Sequence, residues 1–274
     1  MDAAPGREII VLRHGTRDAS RSKLYLNYED YGSPDGPMRI DYYLWVIREP
    51  HRDVIVDLGF SARTAAERGR DVVISPLDAL RALGIRPEEF DGDIVITHAH
   101  WDHTGHIADF PRARFILTSR EYAFWDSSAS QPHLFRHLAD EQDLQALRTA
   151  HEQGRVLLVD PPWQLAPGIR LISGAGHTPG LAMVEVDTAA GEVLLASDAV
   201  HFDEELARDM PFRHMVDLTS SYDTFRRIRT RQTQTVVAGH EAGVLDRHPR
   251  MRGPLSAVAC VVGAVEREEM ADGA

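Results

Sequence analysis

Cysteine is almost missing from this chain. Cys260 is the only one in 274 residues, so no intramolecular disulfide can staple the fold, and a reducing compartment suits it. Long apolar runs are missing too: none reaches the roughly 18 residues that a membrane-spanning helix needs, which argues against a membrane partner. The opening MDAAPGREIIVLRHG has neither the basic start nor the extended apolar stretch of a secretory signal, and a cytoplasmic location is the expectation. Basic charge is in deficit, with 30 Lys and Arg against 42 Asp and Glu and a net charge of −12. Such a field repels nucleic acid phosphates and points to a small, uncharged or weakly anionic substrate. At 43% hydrophobic and 26% charged, disorder and coiled coil are poor readings. No low-complexity tract or linker divides the sequence, so it reads as one domain over 1–274. What is in excess is histidine, with fourteen.

Short β-branched runs recur at strand length. They include Ile9-Ile10-Val11-Leu12, Leu44-Trp45-Val46-Ile47, Val54-Ile55-Val56, Ile94-Val95-Ile96, Phe115-Ile116-Leu117 and Val156-Leu157-Leu158-Val159. Four more follow: Ile169-Arg170-Leu171-Ile172, Met183-Val184-Glu185-Val186, Val193-Leu194-Leu195-Ala196 and Thr235-Val236-Val237-Ala238. Ser75, Pro76 and Asp78 open a helix that Gly84 stops. Apolar spacing predicts further helices over 134–150 and 221–230, and a terminal helix over 255–270. Strands and helices in both halves imply an α/β fold of two sheets layered between helices. Residues 16–41 show tyrosines, glycines and prolines but no clear period, which suits a functional loop. Two uses open to such a loop are a lid over the site and a contact between copies in a homodimer.

The richest segment is Ile94-Val95-Ile96-Thr97-His98-Ala99-His100-Trp101-Asp102-His103. A buried-type strand runs out into three histidines and an aspartate within six residues. Extended alternation puts His98 and His100 on one side, and a tight turn presents Asp102 and His103 toward a neighbouring position. Imidazoles and a carboxylate are the ligands that borderline divalent cations such as zinc prefer, and two adjacent sets suggest two metals.

The segment His98-Ala99-His100-Trp101-Asp102-His103 resembles the H-x-H-x-D-H signature of the metallo-β-lactamase superfamily. Downstream, Gly176-His177-Thr178-Pro179-Gly180 is similar to that family's G-H-T-P-G turn. Ser197-Asp198 and Gly239-His240 follow strands where its remaining ligands are expected. The resemblance implies a four-layer αβ/βα sandwich with a core over about 40–245, an N-terminal loop insertion at 16–41 and a C-terminal helix or tail over 250–274. It implies two divalent cations, zinc first with manganese and iron(II) open, held by His98, His100 and His177 on one side and Asp102, His103 and His240 on the other, with Asp198 bridging. Two such cations ~3.5–4 Å apart can share a hydroxide and polarise a carbonyl, which makes Asp102 and Asp198 catalytic candidates. Asp57, ending Val54-Ile55-Val56-Asp57, resembles the family's D-x-G strand end, a partner for a ligand N–H.

An aspartate within the signature together with Asp198 departs from the cysteine-ligated β-lactamases. Length and Ser197-Asp198-Ala199-Val200 look most like the N-acyl homoserine lactonase and pyridoxolactonase-like group. That implies a metal-dependent hydrolase opening a small cyclic ester; a glyoxalase-II-like thioesterase or another metal-dependent ester or amide hydrolase is the alternative. One departure stands out. Quorum-quenching lactonases commonly carry a tyrosine three residues past the bridging aspartate, and here that position is His201, a candidate general acid. His106 reads as a supporting or solvent-facing group, and His133, His137 and His151 as parts of a solvated helical face. His14, His51, His214 and His248 receive no role. Trp101 reads as packing under the loop or as a wall of the site, and Tyr25, Tyr28 and Tyr31 as cleft lining, surface packing or a dimer contact.

Overall fold

A computed structural model describes residues 7–49, 52–231 and 235–265. Strands β1 (Ile9–Ser20), β2 (Pro37–Ile47), β3 (Val54–Val56), β4 (Asp71–Val72), β5 (Asp93–Val95), β6 (Arg114–Thr118) and β7 (Val156–Val159) join the first sheet. The second holds β8 (Trp163–Ala166), β9 (Ile169–Ser173), β10 (Ala182–Thr188), β11 (Gly191–Ser197) and β12 (Thr235–Ala238). A last strand, β13 (Ala259–Val262), returns to the first. The orders are β13-β1-β2-β3-β5-β6-β7, with β4 on β1, and β12-β11-β10-β9-β8. Parallel pairing joins β3 to β5, β5 to β6 and β6 to β7 in one sheet, and β11 to β12 in the other.

Side-chain alternation explains the layers. Ile9 and Val11 point between the sheets, where they meet Trp45, Val56, Val95, Leu171, Val184 and Leu195. Ile10 and Leu12 point the other way, onto the helices Pro76–Ala82 and Glu141–Glu152 through Leu80, Leu144 and Leu147. On the far side, Met183 and Leu194 pack against Phe225 and Ile228 of the helix Leu218–Thr230. Strands buried on both faces read as unbroken apolar runs, which is why the sequence marks them so plainly. The result is the four-layer αβ/βα sandwich.

Three sequence expectations change. Both ends of the 16–41 stretch, 16–20 and 37–41, are strand, since β1 and β2 pair from Ile9 opposite Ile47 out to Ser20 opposite Pro37, with a bulge between Arg13 and Gly15. Only 21–36 lie outside those strands, as a short helix Arg21–Leu24 and a 3-10 turn Tyr28–Tyr31. Their half-buried outer ends alternate weakly, so no apolar run announces them. The helix expected over 134–150 is two, His133–Arg136 and Glu141–Glu152, because Asp140 caps the second by accepting from Gln142 N–H at 2.9 Å. In place of a helix from 255, the chain makes a 3-10 turn Gly253–Leu255 and then β13; residues 266–274 of that expectation lie outside the described residues.

The 21–36 tip folds down onto 202–213. Leu24, Tyr25 and Tyr28 are buried with Phe202 and Met210. Leu26 N–H donates to Pro211 O at 2.9 Å and Arg213 N–H to Leu24 O at 2.8 Å. Tyr25 OH donates to Glu204 Oε2 at 3.1 Å, and Arg21 pairs with the same carboxylate. Tyr25 and Tyr28 are therefore internal packing that closes a seam.

Candidate metal centre

The parallel strands β3, β5, β11 and β12 run out at one edge of the sandwich. Asp57 follows β3, the 97–103 loop follows β5, Asp198 follows β11, and Gly239-His240 follow β12. His177 comes from the turn between β9 and β10. Asp57 (φ 60°) and Ser197 (φ 46°) sit in the left-handed region that non-glycine residues avoid, so both strand ends turn sharply. Gly176, at φ 144°, lies against Ser221, where a Cβ would collide with the side chain and backbone.

All seven residues singled out in the sequence meet here, each buried. They form two groups, His98, His100, His177 and Asp198 in one, and Asp102, His103 and His240 in the other; within each group the potential ligand atoms lie within 4.8 Å of one another. In the first, His98 Nε2 and His177 Nε2 approach His100 Nδ1 at 3.0 and 2.9 Å. Burial is the chief cause that holds all three imidazoles well below the usual histidine range, so they are neutral at pH 7. One lone pair on His100 cannot serve two N–H donors at once, whereas three converging lone pairs suit a divalent cation.

The second group is oriented from behind. His103 Nδ1–H donates to Asp57 Oδ2 at 2.7 Å, and His240 Nδ1–H donates to the Asp41 carbonyl at 2.9 Å. Each ring thereby turns its Nε2 inward. Asp57 is itself fixed by Thr97, whose N–H and hydroxyl donate at 2.8 and 2.7 Å. Burial alone would lower His103, but Asp57, Asp198 and Asp102 outweigh it and raise it well above its usual range. These carboxylates gather positive charge.

Asp198 lies between the groups. Its Oδ2 is 3.4 Å from His177 Nε2, its Oδ1 is 3.4 Å from His103 Nε2, and both oxygens are 3.2 Å from His240 Nε2. Burial opposes ionisation, yet His240, His201 and His103 hold this carboxyl well below the usual carboxylate range. His103 Nε2 and Asp198 Oδ1 are buried without a hydrogen-bond partner, an arrangement that costs free energy unless a cation takes both. The donor set fits two divalent cations.

His201 joins the centre, fully buried, its Nε2 3.2 Å from Asp198 Oδ2 and its Nδ1 3.2 Å from Glu205 Oε1. Burial would lower this imidazole, but Asp198 and Glu205 push it up to about 9. Its ring stacks on Phe212 at 3.9 Å. His106 belongs to neither group; its Nδ1 faces Asp109 Oδ2 at 2.8 Å. A cavity of about 200 Å³ opens over the centre; His137, expected on a solvated face, Trp101, and His214, to which the sequence assigns no role, help line it.

Glu121 had no sequence signal of its own. It is fully buried and accepts four hydrogen bonds, from Ala99 N–H (3.0 Å), Trp125 Nε1–H (2.7 Å), Thr178 OH (2.6 Å) and Gly180 N–H (3.1 Å). One carboxylate thus ties the His98–His100 loop to the His177 turn. Thr118-Ser119-Arg120-Glu121 looks like an ordinary capping box, and Thr118 does accept from Glu121 N–H at 3.1 Å, but the Glu121 side chain turns inward instead.

Residues 41–240 match the metallo-beta-lactamase superfamily. An N-acyl homoserine lactonase from a Bacillus species is 23% identical over 168 residues, 60% of this chain and 61% of that protein. N-acyl homoserine lactonase AiiB of Agrobacterium fabrum is 27% identical over 177 residues, 60% of this chain and 61% of AiiB. The matched part thus spans about three fifths of these relatives' length. Among solved structures, a quorum-quenching N-acyl homoserine lactone lactonase is similar with a TM-score of 0.72 at 16% identity, covering 88% of this chain and 94% of that one. The hydrolase AbOPH reaches 0.73 at 20% identity and covers 97% of each chain. At such identities the likeness is one of fold. The family match extends from β2 to His240 and takes in every residue of both groups, and on that ground the chain belongs to the metallo-beta-lactamase superfamily.

Proposed function

We propose that this chain is a dinuclear-metal hydrolase that opens a small cyclic ester. His98, His100 and His177 would hold one cation and Asp102, His103 and His240 the other, with Asp198 placed between the two sets. The observation that carries the reading is the Asp198 carboxylate, with one oxygen facing His177, the other facing His103, and His240 within 3.2 Å of both. When bound, such a pair supplies Lewis-acid polarisation of the ester carbonyl and water acidified toward neutral pH. Lactones are favoured as substrates because the relatives named above are lactonases, with zinc as the first candidate metal.

The protein's own groups position and protonate. Asp57 and the Asp41 carbonyl keep His103 and His240 in the tautomer whose Nε2 faces inward. Ring opening leaves an alkoxide that must gain a proton, and His201 lines the cavity within reach of the centre. Metal analysis with a panel of lactones and thioesters tests the proposal. Two equivalents of divalent metal per chain are expected, with turnover of lactones abolished by chelation and restored by added metal. One equivalent at full activity would overturn the dinuclear reading. Thioester cleavage without lactone opening would favour the glyoxalase-II-like alternative.

Two substitutions extend this. Asp57→Asn keeps the shape but presents either an amide oxygen or an NH₂ to His103, so affinity for one of the two cations should fall about 10–100-fold; competition with a chromogenic chelator reads it, and unchanged affinity for both would remove Asp57 from the support. His201→Ala should lower kcat about 10²-fold with both metals retained, and His201→Tyr should keep part of the activity. An unaltered kcat and pH profile in His201→Ala would reduce the ring to packing against Phe212.

A further inference from the structure

The cavity over the centre has two unlike walls. One is the metal centre itself. The other carries Arg17, Lys23, Arg68, Arg70 and Arg213. Most arginines of this acidic chain pair with carboxylates, as Arg63 does with Asp140 at 2.9 Å and Arg114 with Asp93 at 2.7 Å. Among the described residues, none of the five cavity cations has a carboxylate within salt-bridge distance. Arg68 donates to the carbonyls of His137 (2.9 Å) and Ala139 (3.1 Å), and Arg213 to that of Lys23 (3.0 Å). Arg70 donates to backbone carbonyls, and its Nε is buried without a partner. Arg68 and Arg70 both lie over the Trp101 ring, at 4.8 and 5.3 Å. These contacts hold Arg68, Arg70 and Arg213 without an ion pair, and Asp102 and Asp140 offset the Arg68 charge only from beyond ion-pair distance.

The two carboxylates that line the cavity are Asp102 and Asp198, and both belong to the groups that would hold cations. Loading the centre consumes their charge and leaves the cavity positive inside a molecule of net charge −12. His214 reports the same field from within: burial first, then Arg213 and His137, bring it down to about 4. Arg17 is lowered by burial and then by Arg70 and Arg213. Like charges held together at this cost are the mark of an anion site, and a guanidinium matches carboxylate or phosphate oxygens in pairs.

The geometry points to an anionic substrate, a small ester or lactone bearing a carboxylate or phosphate that Arg17, Arg70 and Arg213 hold while its scissile carbonyl faces the metal groups. This rests on the hydrolase reading above and narrows it. The net negative exterior still turns away polyanions, so the charge admitted is that of one small group.

Three probes test it: γ-butyrolactone-γ-carboxylate, its uncharged carboxamide, and the phosphate ester of γ-hydroxymethyl-γ-butyrolactone. For the metal-loaded enzyme, kcat/KM for one of the anions should exceed that for the carboxamide by about tenfold or more, the worth of a charge-assisted hydrogen bond. The faster anion identifies the group. That preference should collapse toward unity in Arg17→Gln and in Arg70→Gln, return in part in Arg70→Lys, and persist in Arg112→Gln, which lies outside the cavity. Equal turnover of charged and uncharged lactones, or a preference that survives both glutamine variants, would overturn the inference. Should none of the lactones be opened, the hydrolase reading fails by itself, and calorimetric titration with the intact anions decides the rest. Binding that weakens about tenfold in Arg17→Gln and Arg70→Gln supports the anion site, and binding equal to wild type refutes it.

Discussion

Asp198→Asn should reduce lactone hydrolysis by about 10³-fold or more, the several kcal/mol of charge stabilisation that a paired metal centre supplies. The substitution keeps the volume and removes the negative charge. Whichever way the amide turns, an NH₂ replaces one oxygen, either the one toward His177 or the one toward His103, and an NH₂ cannot bind a cation. The variant should therefore retain at most one equivalent of metal. Elemental analysis and turnover measured on the same preparation check both halves. Near-wild-type turnover with two metals bound would show that Asp198 does not join the groups.

Glu121→Ala should cost at least about 4 kcal/mol of stability, because four buried donors lose their acceptor and each orphan costs roughly 1–3 kcal/mol. For a chain of this size that corresponds to a fall in Tm on the order of 10 °C. The loss is not confined to stability. Gly180 packs so closely on Glu121 that a Cβ there would strike its backbone, so the His177 turn and the His98–His100 loop are positioned through one residue. Glu121→Gln should cost about half as much, since one amide oxygen still serves one pair of donors while the NH₂ faces the other pair. Thermal unfolding of the metal-free protein isolates this effect from metal binding, and a Tm within a degree or two of wild type for Glu121→Ala would refute the clamp.

Four candidate ligands were legible in the sequence because His98, His100, Asp102 and His103 fall within six positions after an apolar strand, whereas His177, Asp198 and His240 are far apart and were legible only through the family resemblance. Most strands were legible because burial on both faces leaves few polar residues inside them. Glu121 was not, because a carboxylate near a helix start is common and only the tertiary fold turns it inward. Nor was the cationic wall, since Arg17, Arg70 and Arg213 come from separate parts of the chain and each alone looks like a solvated surface arginine. The ends of β1 and β2 were hidden by their own half-exposure, and β8 by its four-residue length and incompletely buried side chains. Residues 255–262 carry apolar spacing compatible with a helix, yet pairing of β13 with the edge of β1 satisfies their backbone instead.

The seam between the 21–36 tip and 202–213 separates two inheritances. The residues proposed to hold cations sit on strand ends and tight turns that tolerate little change, whereas Lys23, Leu24, Phe212, Arg213 and His214 stand along a junction between segments some 190 residues apart in sequence. A lineage can exchange residues along that junction while the metal-holding framework stays constant. Substrate choice in this protein is therefore free to diverge faster than its chemistry, and relatives sharing every metal ligand need not share a substrate.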